Sequence, residues 1–569
     1  MRIMEQIKEL IARKIKLLLP NTDIDIASAI ELPADSKLGD LAVPCFKFSK
    51  ALRKAPPAIA AELKAGLETE NFEFIDRIEA VGGYLNFFVR PDYFISILKL
   101  ILDAGADFGK SNIGVNKVVV IDYSSPNIAK RFHIGHLGTT IIGNSLKKLH
   151  SFCGYKCIGI NYLGDWGTQF GKVIAAYKLW SSEEKLAERG MDELVDLYVR
   201  FTKESEENEE LHELAKNEFR KLEQYDEEST SLWKKFKAIS LSEYEKTYKL
   251  LGIEFDSYNG ESFYNDKMQT AIDELKVKNL LELDNGAYIV RLDEFKLPVV
   301  LILKSDGSTI YATRDIAAAI WRQNEYKFDK ALYVTSAGQS LHFTQVFKVL
   351  ELMGYEWAGR LVHVPYGTYS IGGEKIASRT GNVVLLDDLF KDAIEHAAAV
   401  IENKNPELEN KAEVAEAVGV GAVVFNSLLN NRIKDVNFDW EEALSFEGNT
   451  GPYVQYTYAR TASILRKNES EAEDTDSCDY TPNAEEIALI KCLSDFPNKV
   501  IQAINTYEPS VITRFALELC WAFNLFYHNN NILKSEIDCR QFRLQLAKAV
   551  NTTLGNTLNL IGLRETEVI

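Results

Sequence analysis

Residues 117–167 commit the chain to one kind of fold. KVVVIDYS (117–124) is a short, nearly continuous β-branched run, the composition of a strand buried on both faces of a parallel sheet. TTIIGNSLKKLHSF (139–152) has helical period, and KCIGINYLGDWG (156–167) reads as a second strand and a glycine-rich loop. Strand, loop, helix, strand is a βαβ unit, whose strands run parallel and whose helix covers one sheet face. ALYVTSAGQ (331–339), a helix near 341–352 and LVHVPYG (361–367) resume the pattern after a long interval. The expected fold is α/β: a doubly wound, Rossmann-like parallel sheet split by an insertion at about 180–300.

At 569 residues the chain exceeds a single core, and three or more domains are expected. Residues 1–110 mix helix signals near 3–19 and 55–66 with FIDRIEAVGGYLNFFVR (74–90), a hairpin pattern turning at Gly82-Gly83. This reads as an N-terminal α+β domain, with GADFGKSNIG (105–114) as its linker. The α/β catalytic domain would occupy 111–385. Residues 386–569 carry nearly unbroken helical patterns and read as a helical linker and an all-α helical bundle.

The bulk composition excludes several classes. No apolar run approaches a membrane span, and PVVLIL (298–303) is a buried-strand candidate. The first twenty residues read as an amphipathic helix ending at Pro20 rather than a signal peptide. Seven cysteines are scattered; Cys153 and Cys157 have no second pair or histidine cluster to complete a zinc site, so no protein-bound metal is expected. Reduced thiols fit a cytoplasmic location. The net charge of −18 argues against polyanion binding by the chain as a whole, although a local basic face can coexist with an acidic remainder. Much of the acidic excess lies in 203–214, an exposed helix face, and 468–479, a solvated loop.

After the first strand comes SSPNIAKRFHIGHLG (124–138). Ligands of open α/β sheets sit beyond the carboxyl ends of the strands, and a helix N-terminus there offers free N–H groups to phosphate. His133 and His136 supply ring N–H donors, while Gly135 and Gly138 permit close approach. This loop suits a nucleotide polyphosphate; the plainer alternative is a pair of surface histidines at a turn.

H-I-G-H after the first strand resembles the signature of class I aminoacyl-tRNA synthetases. The surrounding DYSSPNIAKRFHIGHLGTTIIG is similar to the arginyl-tRNA synthetase form, as are GDWGTQFG (164–171), YATRDIAA (311–318), GQSLHF (338–343) and GNTGPYVQYTYAR (448–460). The resemblance implies a ligase that activates L-arginine with ATP, accompanied by Mg2+, and passes the arginyl group to the 3'-terminal adenosine of its tRNA. His133, Gly135 and His136 would then meet ATP. A second phosphate loop is implied at KIASRTGN (375–382), where Lys375 keeps the first lysine of the family's pattern. Ser378, followed by Arg379, replaces the second, and Lys130 stands where the family is thought to compensate. His133, His136, Lys130 and Lys375 are the implied catalytic set.

The family's arginine-binding positions map onto Ser125, Asn127, His136, Tyr311, Asp315 and Gln339, with Asp122 a second carboxylate candidate. A guanidinium wants carboxylate acceptors in its plane. Asp315 has the alternative of a helix-start residue stabilised by the dipole. Asp165 and Gln169 are expected near the substrate's amino group. For tRNA, the N-terminal domain is implied at the outer corner near the D loop and the C-terminal bundle at the anticodon. Tyr453 and Tyr456 are candidate stacking platforms, with Arg460 and Arg466 at phosphates, although each tyrosine equally suits helix packing. A monomer without membrane contact is expected. A glutamyl- or cysteinyl-type enzyme and a non-charging RNA-binding relative are the alternatives; the lack of zinc-type cysteines weakens the cysteinyl one.

Overall fold

The computed structural model describes residues 3–569 apart from 21, 32, 34–37, 69, 71, 372–373, 376–383 and 469–479. Its central sheet has four parallel strands in the order Leu361–Tyr366, Lys330–Ser336, Val118–Asp122, Lys156–Ile160. Helix Leu137–Phe152 leads from Val118–Asp122 to Lys156–Ile160, and helix Ser340–Leu352 leads from Lys330–Ser336 to Leu361–Tyr366. The two crossovers diverge between Val118–Asp122 and Lys330–Ser336, which opens a crevice at the carboxyl ends of those strands.

The alternation along the strands explains their unbroken apolar sequence. Val119, Ile121, Leu332, Val334 and Val364 face one core, shared with Leu137, Ile141 and Leu146 and with C-terminal residues such as Phe515 and Leu554. Val120, Ala331, Tyr333 and Leu361 face a second core with Ile316, Phe343 and Val346. With helices on both faces, neither set of side chains meets water.

The N-terminal region packs a three-stranded antiparallel sheet (Leu41–Pro44, Ile75–Val81, Tyr84–Val89) against helices including Ile3–Leu18 and Pro56–Leu67. The expected hairpin turns at Gly82 and Gly83, whose φ of 60° and 92° suit glycine. Between the second and third sheet strands the chain inserts helices Glu183–Arg189 through Glu227–Leu250, then an antiparallel sheet of Glu282–Asp284, Ala287–Val290 and Val300–Leu303. PVVLIL ends in that sheet, with only Val300 and Ile302 fully buried, because only one face of the sheet is covered.

After Leu386 the described chain is helical except for Val436–Phe438, which pairs in parallel with Tyr369–Ile371. Three residues are too few for a period to show in sequence. Helix Lys411–Leu429 is long and apolar enough to cross a membrane by length and composition, and most of it is buried inside the fold. Acidic residues 469–479 lie outside the described residues.

The last helix, Ile537–Leu560, ties the bundle to the central sheet. Ser145 Oγ donates to the Leu560 carbonyl at 2.9 Å and Lys148 Nζ to Asn559 Oδ1 at 3.0 Å. Asn556 reaches back to the Phe108 carbonyl at 3.0 Å. The helix that begins at the H-I-G-H segment is therefore fastened at its far end by the bundle.

Candidate active site

The loop leaving Val118–Asp122 takes a costly path. Ser124, Ser125 and Ala129 have φ of 72°, 49° and 58°, a region that side chains other than glycine disfavour. Neighbouring segments hold it there. Ser124 N–H donates to Thr139 Oγ1 (2.9 Å), Ser125 N–H to Asn161 Oδ1 (3.1 Å) and Ala129 N–H to Ser240 Oγ (2.9 Å). Tyr244 donates to the carbonyls of Asn127 and Lys130, each at 2.7 Å. Ser240 and Tyr244 belong to the long insertion helix Glu227–Leu250, so the insertion acts as a clamp on this loop.

Backbone geometry also fixes the histidine tautomers. His133 Nδ1 accepts from Gly135 N–H at 3.1 Å, and His136 Nδ1 accepts from His133 N–H at 3.3 Å. An accepting Nδ1 leaves the proton on Nε2 of each neutral ring. Burial, followed by the charge of Lys130, lowers the pKa of His133. Burial pushes His136 down to about 3, with smaller effects from His133 and Lys130. Both rings are thus neutral donors at neutral pH. Both glycines are required by the protein's own contacts. A Cβ on Gly135 would lie 2.8 Å from His133 Cε1, and one on Gly138 would lie 2.5 Å from Tyr369 Cε2.

The chain from Val384 returns beside this segment. Ile134 N–H donates to the Val384 carbonyl (3.1 Å) and Leu386 N–H to the Phe132 carbonyl (3.0 Å). Lys375 pairs with Ser370 in a two-residue strand. Its side chain, and Ser378 and Arg379 altogether, lie outside the described residues.

In the crevice is a cavity of about 600 Å³. All seven candidates Asp122, Ser125, Asn127, His136, Tyr311, Asp315 and Gln339 line it. Three carboxylates face it, and their partners differ. Asp122 is buried and paired with the buried Arg322 at 2.7 Å, while its other oxygen accepts from Ser125 Oγ at 3.0 Å. Glu261 meets Arg314 at 3.2 Å. Asp315 holds His342 Nε2 on one oxygen at 2.7 Å and the Tyr162 hydroxyl on the other at 3.2 Å. Among the described residues it alone of the three has no guanidinium partner.

Three stretches of the chain match known families. Residues 98–440 match the family described as "tRNA synthetases class I (R), catalytic domain", 5–89 the "Arginyl tRNA synthetase N terminal domain", and 454–569 the "DALR anticodon binding domain". The arginine–tRNA ligase of Clostridium perfringens is 49% identical over 560 residues, 98% of each chain. That of Alkaliphilus metalliredigens is 48% identical over 545 residues, 95% of this chain and 96% of its own. The solved Thermus thermophilus arginyl-tRNA synthetase superposes with a TM-score of 0.83 at 26% identity, covering 99% of both chains. The chain belongs to the arginyl-tRNA synthetases. It is a class I ligase of arginine and tRNA, with the parallel-sheet catalytic domain, N-terminal domain and C-terminal helical domain expected from its sequence.

Within this synthetase some site residues stand elsewhere than the sequence led one to expect. Asp165 is fully buried and held by Lys237 Nζ (2.6 Å) and by Ser262 N–H and Oγ (2.8 Å each); it fastens the GDWG loop to the insertion and does not reach the cavity. Trp166 packs edge-on against Phe219 and Trp233. Lys130 has its ammonium 5.4 Å from the Tyr198 ring of the insertion. In the bundle, Tyr456, Arg460 and Arg466 line a cavity of about 1010 Å³. Arg460 lies over the rings of Tyr456 and Tyr527, at 4.9 and 5.4 Å, and Arg466 pairs with Glu567 at 3.0 Å. Tyr453 points inward, accepting from Asn524 at 2.8 Å.

Sequence reading missed Glu261, Tyr162 and His342. Burial raises Glu261 to about 7, with Arg314 opposing and Asp315 and Asp165 adding. Only the fold brings Glu261 to the crevice, since no local pattern marks it. Tyr162 and His342 lie inside quoted segments without a chemical partner nearby in sequence.

Proposed function

We propose that the crevice binds L-arginine with its guanidinium at Asp315, flanked by Tyr311 and Glu261, and its amino and carboxylate groups toward Ser125, Asn127 and Gln339. Asp122, neutralised by Arg322, shapes the floor instead of pairing with substrate. The ATP phosphates run along Gly135 and the start of helix Leu137–Phe152, where the positive end of the helix dipole and Nε2–H of His133 and His136 meet them. Lys130, on the same loop, adds positive charge, and the sequence pattern assigns Lys375, Ser378 and Arg379 to the same phosphates.

In the first step an arginine carboxylate oxygen attacks the α-phosphorus; the α–β bridging P–O bond breaks and pyrophosphate leaves. In the second, a hydroxyl of the terminal adenosine attacks the activated carbonyl carbon and AMP leaves. The protein's share in the first step is positioning and charge stabilisation. Neutral imidazoles do this without exchanging a proton, and the strained, clamped loop supplies a fixed position. No three His, Cys, Asp or Glu side chains converge on a metal site among the described residues. Mg2+ would enter with ATP as part of that substrate.

On the same reading, residues 1–110 contact the outer corner of the tRNA, 111–385 carry catalysis and 386–569 hold the anticodon. Arg460 over the rings of Tyr456 and Tyr527, with Arg466 on the same cavity, supports a base platform there, while Tyr453 packs inward. One chain suffices as the working unit, because one cavity gathers every arginine candidate, and the cytoplasm is where its tRNA would be met.

The observation that carries the reading is the meeting of seven residues from separate segments around one cavity. Asp315→Asn tests it. Losing a charge-assisted contact, worth about 1.5–3 kcal/mol, weakens arginine about 10- to 100-fold while ATP affinity holds. Equal losses for both ligands by calorimetry would make Asp315 structural.

A further inference from the structure

A second cavity, of about 440 Å³, lies where four parts of the chain meet. They are the linker at Lys110, the far end of helix Leu137–Phe152, the turn after helix Glu227–Leu250 at Gly252 and Glu254, and the last helix at Asn559. This cavity is distinct from the arginine crevice. Lys148 stands eleven residues beyond Leu137, which at 1.5 Å per residue is about 17 Å along the helix from the H-I-G-H segment.

Its wall is basic in a chain whose net charge is −18. Lys110, Lys147 and Lys148 line it against one carboxylate, Glu254. Two of these lysines are already engaged. Lys147 Nζ meets Asp256 at 2.8 Å and donates to the Glu254 carbonyl at 2.9 Å, and Lys110 pairs with Asp107 at 2.7 Å. Lys148 has no carboxylate at ion-pairing distance among the described residues; it donates one proton to the neutral Asn559 Oδ1 at 3.0 Å. Burial lowers its pKa, and no neighbouring charge offsets that. One turn earlier on the same helix is Asn144, only 7% exposed. Its side-chain amide lines the cavity and has no hydrogen-bond partner among the described residues. The i,i+4 spacing sets the amide and the ammonium on one helix face. Two half-satisfied donors side by side, one of them charged, are complementary to an anion with several acceptor oxygens.

We propose that this cavity is a binding site for a phosphate group, with Lys148 and Asn144 donating to its oxygens and Lys110 and Lys147 adding positive charge around them. The one aromatic ring on the wall, Phe152, already lies beneath the Lys110 ammonium at 5.9 Å, so the site recognises the phosphate and not a base. The phosphate belongs either to a small phosphorylated molecule or to the backbone of tRNA. Because linker, catalytic helix and last helix all contribute to the wall, a bound phosphate braces the joint between the catalytic domain and the bundle. The inference is independent of where arginine binds.

The test reads Lys148 directly. Acetic anhydride acetylates only a neutral amine, so a phosphate slows labelling of Lys148 both by covering it and by holding its proton. Trace acetylation of the full chain, resolved by peptide mass spectrometry, compares Lys148 with the exposed Lys246. Inorganic phosphate replacing chloride at constant ionic strength should slow Lys148 about tenfold relative to Lys246, and Asn144→Ala should raise the phosphate concentration required about tenfold. Asn144→Ala leaves the contact of Lys148 with Asn559 in place, so the docking of the bundle is not at stake. Protection by inorganic phosphate assigns the site to a small phosphorylated ligand. Protection by tRNA alone, lost in Asn144→Ala, assigns it to backbone phosphate. No protection by either, or protection that Asn144→Ala leaves unchanged, would overturn the site.

Discussion

Replacing Arg322 by Met offers the sharpest probe of how the cavity floor is built. The guanidinium is 1% exposed and its partner Asp122 6% exposed, so neither has water to fall back on. Three tyrosine rings, of Tyr162, Tyr264 and Tyr333, surround it at 4.9, 5.7 and 5.7 Å. Arg322→Met fits the apolar volume but leaves the Asp122 carboxylate with only the Ser125 hydroxyl. Breaking a buried pair on one side costs about 3–5 kcal/mol, whereas replacing both partners is often near neutral. Asp122→Asn combined with Arg322→Met should therefore recover about 2–4 kcal/mol of the loss. At about 2–4 °C per kcal/mol for a domain of moderate size, the single variant should lower the melting temperature of the catalytic domain by about 6–20 °C, and the double variant by much less. Near-ultraviolet circular dichroism follows the transition, and the non-additivity is read from the cycle of four proteins. A loss below about 1 kcal/mol for Arg322→Met, or strict additivity, would refute the view that Asp122 is consumed by an internal partner, and would return it to the set of carboxylates available to substrate.

Two further outcomes follow from the loop. Because the folded-state pKa of His136 lies near 3, below its unfolded value, the unfolded chain binds more protons in between and stability falls as pH drops from about 6.5. His136→Gln should thus lose about 2 kcal/mol less stability than the unmodified protein between pH 8 and 5 in paired urea titrations; parallel curves would mean the ring is not held neutral by the fold. Tyr244→Phe removes the donor shared by the Asn127 and Lys130 carbonyls, a change of about 1–3 kcal/mol that falls on a strained loop. It should lower the rate of ATP–pyrophosphate exchange about 10- to 100-fold with tRNA present, and an unchanged rate would show that the insertion helix does not set the loop.

Much of the architecture is legible in local chemistry. The β-branched run at 117–124 and the helical period that follows dictate a parallel sheet, because such strands have no polar face to give to water. The glycine pair at 82–83 announces its hairpin for an equally local reason. The H-I-G-H segment raises the expectation of a phosphate site because strand end and helix start are neighbours in the chain. What the sequence left undecided are properties of pairs distant along it. Asp122 and Asp315 look alike as letters, and only the fold gives one a buried Arg322 from 200 residues away while leaving the other with Tyr162 and His342. Asp165, plausible as a ligand, is turned inward by Lys237 and Ser262, and Glu261, which carries no local signal, is brought to the cavity wall. Periodicity reports which side of an element is buried; charge partnership, and with it which carboxylate is left for a guanidinium, is settled by which elements the tertiary fold sets face to face.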